Sequence, residues 1–222
     1  MLTSPTETQL ANLPKTLILG ATGPTGRHIV SKAVARGHDV TVLVRSAEKA
    51  ADLTGVRIVV GDARDENALR QAVKGRDAVI SALGTPASPF RDTTLLSTAT
   101  RMLVDAMKAE GVARLVAITG IGAGDSAGHG GFLFDNLIFP LLLRKVYADK
   151  NRQESIIKES ALDWTIVRPS ILNNKPGGKT VRALTSLDSF HGGSISREDV
   201  AAFVLDRVTS DQWLRQTPLI TW

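Results

Sequence analysis

The sequence predicts an α/β chain: a doubly wound, mostly parallel sheet with helices on both faces, in one domain spanning residues 1–222. Three observations carry this. Short runs rich in Val and Ile, at 16–19, 40–44, 56–60, 78–81, 115–118 and 164–167, are apolar on both faces, as strands covered on both sides must be. Amphipathic stretches at 28–36, 66–73, 95–110 and 149–160 alternate with them. Gly37, Gly75 and Gly111 stand where three of those helices must turn back into a strand.

Residues 1–14 are polar and are expected to form a flexible extension. The first strand, 16–19, runs straight into Gly20-Ala21-Thr22-Gly23-Pro24-Thr25-Gly26 and then a helix. The second strand, 40–44, ends in Arg45; the third, 56–60, ends in Gly61-Asp62-Ala63; the fourth, 78–81, ends in Ala82-Leu83-Gly84-Thr85. In the helix at 95–110, Leu96, Ala99, Leu103, Ala106 and Met107 keep the spacing of one buried face. A glycine-rich loop, 120–131, follows the fifth strand, and 173–194 is the longest irregular stretch after the sixth. Ligands of open α/β sheets bind outside the carboxyl ends of the strands, so both loops are expected to wall a pocket.

Composition narrows the chemistry. The chain is 43% hydrophobic and 22% charged, an ordinary globular balance, and has no cysteine, which excludes thiolate nucleophiles, disulfides and cysteine-held metals. Its histidines, His28, His38, His129 and His191, share no ligand spacing, so no metal site is expected. The net charge of +5 comes without any run of five basic residues, so nucleic acid is not expected as a partner. The apolar run 132–143 holds Asp135, Asn136 and Pro140 and is far short of the roughly 20 residues a membrane span needs. With no apolar leader either, a cytoplasmic protein with no membrane contact is expected.

The glycine turn carries the function. Gly20 permits a sharp exit from the strand, Gly23 a close approach to a diphosphate, and Gly26 tight helix–strand packing. N–H groups at the helix start then favour phosphate, with the Thr22 and Thr25 hydroxyls beside them. A dinucleotide is the ligand this context implies. A site for NAD(H) places a carboxylate at the end of the second strand; here Arg45 stands there, with Lys49 close behind and Arg27 after the third glycine. Arginine pairs with a 2′-phosphate, which favours NADP(H) over NAD(H). Asp62 can meet the adenine or cap the helix that begins near Asp65, Ala63 can offer backbone contacts, and the small residues around Ala82 and Gly84 leave room for the cofactor.

The segments GATGPTG, VTVLVR (40–45), VVGD (59–62), DAVISALGT (77–85) and WTIVRPSIL (164–172) resemble the atypical short-chain dehydrogenase/reductases. Within these the chain is most similar to the NmrA-like NAD(P)H-binding group that includes biliverdin-IXβ/flavin reductase, over about residues 15–210. The resemblance implies a Rossmann-like fold, NADP(H), and reduction of flavins, quinones or linear tetrapyrroles. It puts cofactor contacts at Gly20, Thr22, Gly23, Pro24, Thr25, Gly26, Arg45, Asp62, Ala63, Ala82, Leu83 and Gly84. It also puts Pro169, Ser170 and Ile171 beside the nicotinamide, and points to Thr119 and Lys150 as the candidate catalytic residues.

One departure bears on mechanism. The wider superfamily uses a Tyr-x-x-x-Lys pair for proton transfer; here the single tyrosine, Tyr147, has Asn151 four residues on and Lys150 three on. Hydride transfer to a conjugated acceptor needs no strong protein acid, so an NADPH-dependent reductase of a small-molecule acceptor is expected, working as monomer or homodimer. Phe132, Phe134, Leu137 and Phe139 can wall the acceptor pocket or form a buried helix or dimer surface. Two other readings stay open. One is a non-catalytic NADP(H)-binding redox sensor. The remote one is a serine hydrolase, because Gly124-Asp125-Ser126-Ala127-Gly128 has the form GxSxG, with Asp188 and His191 following.

Overall fold

The structure, a computed structural model, describes residues 13–85 and 93–222. Most of the expected N-terminal extension, residues 1–12, lies outside the described residues. Strands β1 (Lys15–Leu19), β2 (Asp39–Val44), β3 (Val56–Val60), β4 (Ala78–Ser81), β5 (Arg114–Ile118) and β6 (Asp163–Pro169) form a parallel sheet in the order β3-β2-β1-β4-β5-β6. This is the doubly wound Rossmann order, and it reverses between β1 and β4. The sheet continues through β10 (Leu219–Thr221), parallel to β6, to β8 (Arg182–Leu184), antiparallel to β10. A separate parallel pair joins β7 (Ile171–Asn173) to β9 (Ser194–Ser196).

Alternation along each strand builds two cores, one per face. Ile18, Ile80, Val116 and Val167 pack with helix α1 (Pro24–Ala35) and helix α5 (Arg197–Thr209). Leu17, Leu19, Val79, Leu115 and Ile166 pack with α2 (Glu66–Val73), α3 (Leu95–Ala109) and α4 (Arg144–Lys158). Each apolar run therefore sends side chains both ways, as the sequence reading required.

Several expectations are sharpened or corrected. Helix α1 starts at Pro24 rather than 28, because proline fits the first helical turn, where no N–H partner is needed. Helix α4 starts at Arg144 rather than 149, directly after a π-helical segment, Phe134–Leu143. Strand β3 is not covered on both faces: it is the sheet edge, and Ile58 and Val60 are exposed. The irregular stretch 173–194 contains β8, and the sequence reading did not foresee α5 or β10 at all. Helix α5 nevertheless carries its own start signal: Ser196 caps it, accepting from the Asp199 N–H at 3.0 Å, with Glu198 and Asp199 in the first turn.

Helix α3 receives its cap from elsewhere. Thr94 makes no side-chain cap bond, and the buried Asp149 of α4 accepts from the N–H groups of Leu96 (2.8 Å) and Ser97 (3.3 Å). One carboxylate thus fixes the start of α3 against α4, close to the carboxyl end of β4.

Candidate functional site

The carboxyl ends of β1, β2, β3 and β4 open onto one cavity of about 560 Å³, within the range of cofactor pockets. It lies at the point where the strand order reverses, as the fold rule requires. Its walls bring together Gly20, Thr22, Gly23, Pro24, Thr25, Gly26, Arg45, Asp62, Ala63, Ala82, Leu83 and Gly84, which the sequence had pointed to. Leu43, Val44, Gly61, Thr85, Leu95, Leu172 and Arg197 complete the lining.

The turn between β1 and α1 is shaped by backbone crowding. Gly20 has φ +76°, and a β-carbon there would lie 2.3 Å from the Ala82 carbonyl oxygen of β4's exit. A β-carbon on Gly26 would lie 2.1 Å from the Gly20 carbonyl oxygen. Gly23 meets nothing so close within the protein, only the Gly20 oxygen at 3.2 Å, so its bareness faces the cavity. Gly23 is also the cap residue of α1, with no side-chain cap and no acidic residue in the first turn. The donors of that turn and the positive end of the helix dipole are left for an anion. A dinucleotide diphosphate fits this cradle.

At the adenosine end, Arg45 is exposed at the tip of β2. Asp62 is the one carboxylate among the described lining residues. Arg64 clamps it through Nε and Nη2, both at 2.9 Å, and these hydrogen bonds pull the Asp62 pKa down to about 2. Asp62 does not cap α2; Asp65 does, accepting from Asn67 and Ala68 N–H. Arg27 does not line the cavity: it binds Asp52 and the Lys49 carbonyl, bracing the loop behind Arg45.

The remaining sequence-selected residues sit beyond the cavity, at the ends of β5 and β6. Lys150 Nζ donates to the Thr119 carbonyl at 2.7 Å, and the Thr119 hydroxyl donates to Glu154 Oε1 at 2.8 Å. Glu154 in turn holds the buried Arg168 through Nε (3.0 Å) and Nη2 (2.6 Å), and Asp125 closes over Arg168 from the glycine-rich loop. Burial lowers the Lys150 pKa to about 8 against the opposing pull of Glu154. Tyr147 is buried against Phe134 and Phe139, which pushes its hydroxyl up to about 12. Lys150 Nζ lies 4.6 Å from the Tyr147 ring centre, and a β-carbon on Gly120 would meet Lys150 Nζ and Tyr147 Oη alike at 3.3 Å. The three-residue spacing therefore does bring both polar tips over Gly120. Pro169 accepts from the Ile121 N–H, and the buried Ser170 hydroxyl donates to Thr221. Ile171 is exposed beside the cavity-lining Leu172.

The two loops expected to form a wall do meet: Gly192 N–H donates to His129 O at 2.8 Å, and the rings of His129 and His191 stack at 5.6 Å. This geometry dismantles the serine hydrolase reading. Ser126 is fully buried, donates to Ala123 O at 2.6 Å and accepts from Gly122 N–H at 3.0 Å. Asp188 takes the Ser186 hydroxyl, and neither it nor His191 meets Ser126. Of the apolar run, Phe134 and Phe139 pack on Tyr147, whereas Phe132 is 86% exposed and Leu137 50% exposed; none of the four lines the cavity. Among the described residues no cluster suited to a metal ion occurs, and no helix is long and apolar enough to cross a membrane.

Comparison with known proteins identifies the family. Residues 20–211 match the family model described as NAD(P)H-binding. The chain is 31% identical over 197 residues, 86% of each chain, to a Bacillus subtilis protein named uncharacterized sugar epimerase YhfK. It is 33% identical over 210 residues, 89% of this chain and 73% of the relative, to an uncharacterized chloroplastic protein of Arabidopsis thaliana. Among solved structures, the anaerobilin reductase ChuY from Escherichia coli superposes with a TM-score of 0.79 at 24% identity, covering 93% of this chain and 96% of that one. A Veillonella parvula short-chain dehydrogenase/reductase in complex with NADP gives a TM-score of 0.74 at 18% identity, covering 95% of each; both likenesses speak to the fold. A glycine cradle at the reversal of a Rossmann sheet, matched along residues 20–211, places this chain in the NAD(P)H-binding family, in keeping with its resemblance to the atypical short-chain dehydrogenase/reductases.

Proposed function

We propose that the chain is an NADPH-dependent reductase that passes hydride to a conjugated small-molecule acceptor. The observation that carries this reading is the cavity itself: an uncapped helix start and an exposed Arg45 share it with a single carboxylate already clamped by Arg64. Bound there, the reduced nicotinamide supplies the hydride. The chain's residues bind and orient. The first turn of α1 would hold the diphosphate and Arg45 the 2′-phosphate, while Pro169, Ser170 and Ile171, next in sequence to the cavity-lining Leu172, would flank the nicotinamide.

Lys150 and Thr119 are the residues proposed to hold a proton or a ribose hydroxyl beside the ring. Lys150 is the better placed of the two, because the Thr119 hydroxyl is already spent on Glu154. Burial holds the Tyr147 hydroxyl at about 12, which disfavours it as a base. This weighs against the epimerase chemistry in the name of the Bacillus relative, and toward acceptors of the kind named for the anaerobilin reductase. One observation favours a second reading, a redox sensor acting through a partner: Phe132, Leu133, Leu137, Leu141 and Leu142 form an exposed apolar stretch.

Two results are expected. Arg45→Glu should raise the Kd for NADPH by about tenfold or more, since it removes a charged hydrogen bond and adds a repulsion, while leaving the Kd for NADH within about twofold. Equal effects on both cofactors in a fluorescence titration would remove the 2′-phosphate role. In a pH–rate profile, the ammonium form of Lys150 is present below its pKa, so kcat/KM should fall as pH rises through about 8. The fall should vanish in Lys150→Met; a profile identical to that of the unaltered protein would exclude Lys150.

A further inference from the structure

Resting on the cofactor reading above, we infer that Arg197 is a second cationic contact for the dinucleotide, addressing its diphosphate from the wall facing the glycine turn. Arg197 lines the same cavity as Gly23, Pro24 and Thr25, together with Leu172. It is the first residue of α5, and α5 runs alongside α1 in the same direction: Lys32 pairs with Glu198 at 3.0 Å and Arg36 with Asp206 at 2.8 Å. That parallel packing sets the start of α5 beside Lys32, in the third turn of α1, and from there Arg197 shares the cavity with Pro24 and Thr25 of the first turn.

The chemistry around Arg197 marks it as waiting for an anion. Its guanidinium Nη1 donates to the side-chain oxygen of Asn174 at 2.7 Å, a neutral partner that orients the group without cancelling its charge. The two acids next to it are occupied. Glu198 accepts from Gly177 N–H at 3.0 Å as well as from Lys32, and Asp199 accepts from Gly178 N–H and Trp222 Nε1, both at 2.7 Å. These bonds strap the loop after β7 onto the helix start, so Arg197 is held by a fixed frame. Arg45 and Arg197 then divide the cofactor between them, one at the 2′-phosphate and one at the diphosphate.

The test is binding of NADPH and of NADH to the unaltered protein, Arg197→Met, Arg197→Lys and Arg45→Glu, followed by fluorescence titration without any acceptor. Arg197→Met should raise both Kd values by the same factor, about tenfold to a hundredfold, as loss of one charged hydrogen-bonding partner does. Arg197→Lys should recover part of that loss, and Arg45→Glu should affect NADPH alone. Kd values within about twofold of the unaltered protein in Arg197→Met would overturn the inference, including the case where only the KM of a carboxylate-bearing acceptor rises. Absence of binding by the unaltered protein would instead overturn the cofactor reading on which it rests.

Discussion

Glu154→Leu is expected to cost the fold about 3 kcal/mol, the low end of the penalty for breaking a buried ion pair, because Arg168 keeps Asp125 as a second, more exposed partner. Glu154 and Arg168 are 2% and 1% exposed, and the pair joins α4 to β6 through two hydrogen bonds. Arg168→Met should cost a similar amount. The double variant should cost less than either single, because an apolar pair of comparable bulk leaves no uncompensated charge. Equilibrium unfolding in urea measures this; additive losses would show that the two residues are not coupled. The same change reaches the site, since Glu154 takes the Thr119 hydroxyl and its charge favours the Lys150 ammonium.

Gly26→Ala sets two effects against each other. Alanine inside a helix is favoured over glycine by about 1 kcal/mol. Against this, the added carbon would lie 2.1 Å from the Gly20 carbonyl oxygen, a backbone atom that cannot swing aside. Overpacking of that severity costs about 1–3 kcal/mol or more, so the clash wins. Helix α1 must then move off the β1 exit and open the cradle. The expected outcome is a lower melting temperature and a Kd for NADPH raised at least about tenfold, by calorimetry and titration. An unchanged Kd together with a raised melting temperature would show that helix and turn are not in tight contact.

What the sequence disclosed, and what it hid, divides along physical lines. The parallel strands were legible because burial on both faces leaves an apolar run with no alternation, and the turn 20–26 because glycine alone tolerates those contacts. Val56–Val60 looked like the other runs, yet it is an edge, and nothing local says which strand lacks a second neighbour. Helix α5 had a readable cap at Ser196, obscured by the glycines and short strands before it. Arg197, by contrast, reaches the cavity only through the packing of α5 on α1, a relation between residues more than 160 apart. The Asp149 cap on α3 and the Glu154–Arg168–Thr119 network are of the same kind: each residue type was visible, but the partner was chosen by the tertiary fold.

The central claim is that NADPH bound at the β1/β4 reversal gives up hydride to a conjugated acceptor. It is tested most directly by following NADPH oxidation with the purified protein against a panel of flavins, quinones, biliverdins and simple carbonyls, with NADPH deuterated at the transferring position. Turnover on at least one conjugated acceptor, with the deuterium lost from the nicotinamide and activity lost in Gly26→Ala, is the expected result. Tight NADPH binding with no turnover on any member of the panel would contradict it and leave a protein that senses the cofactor without using it.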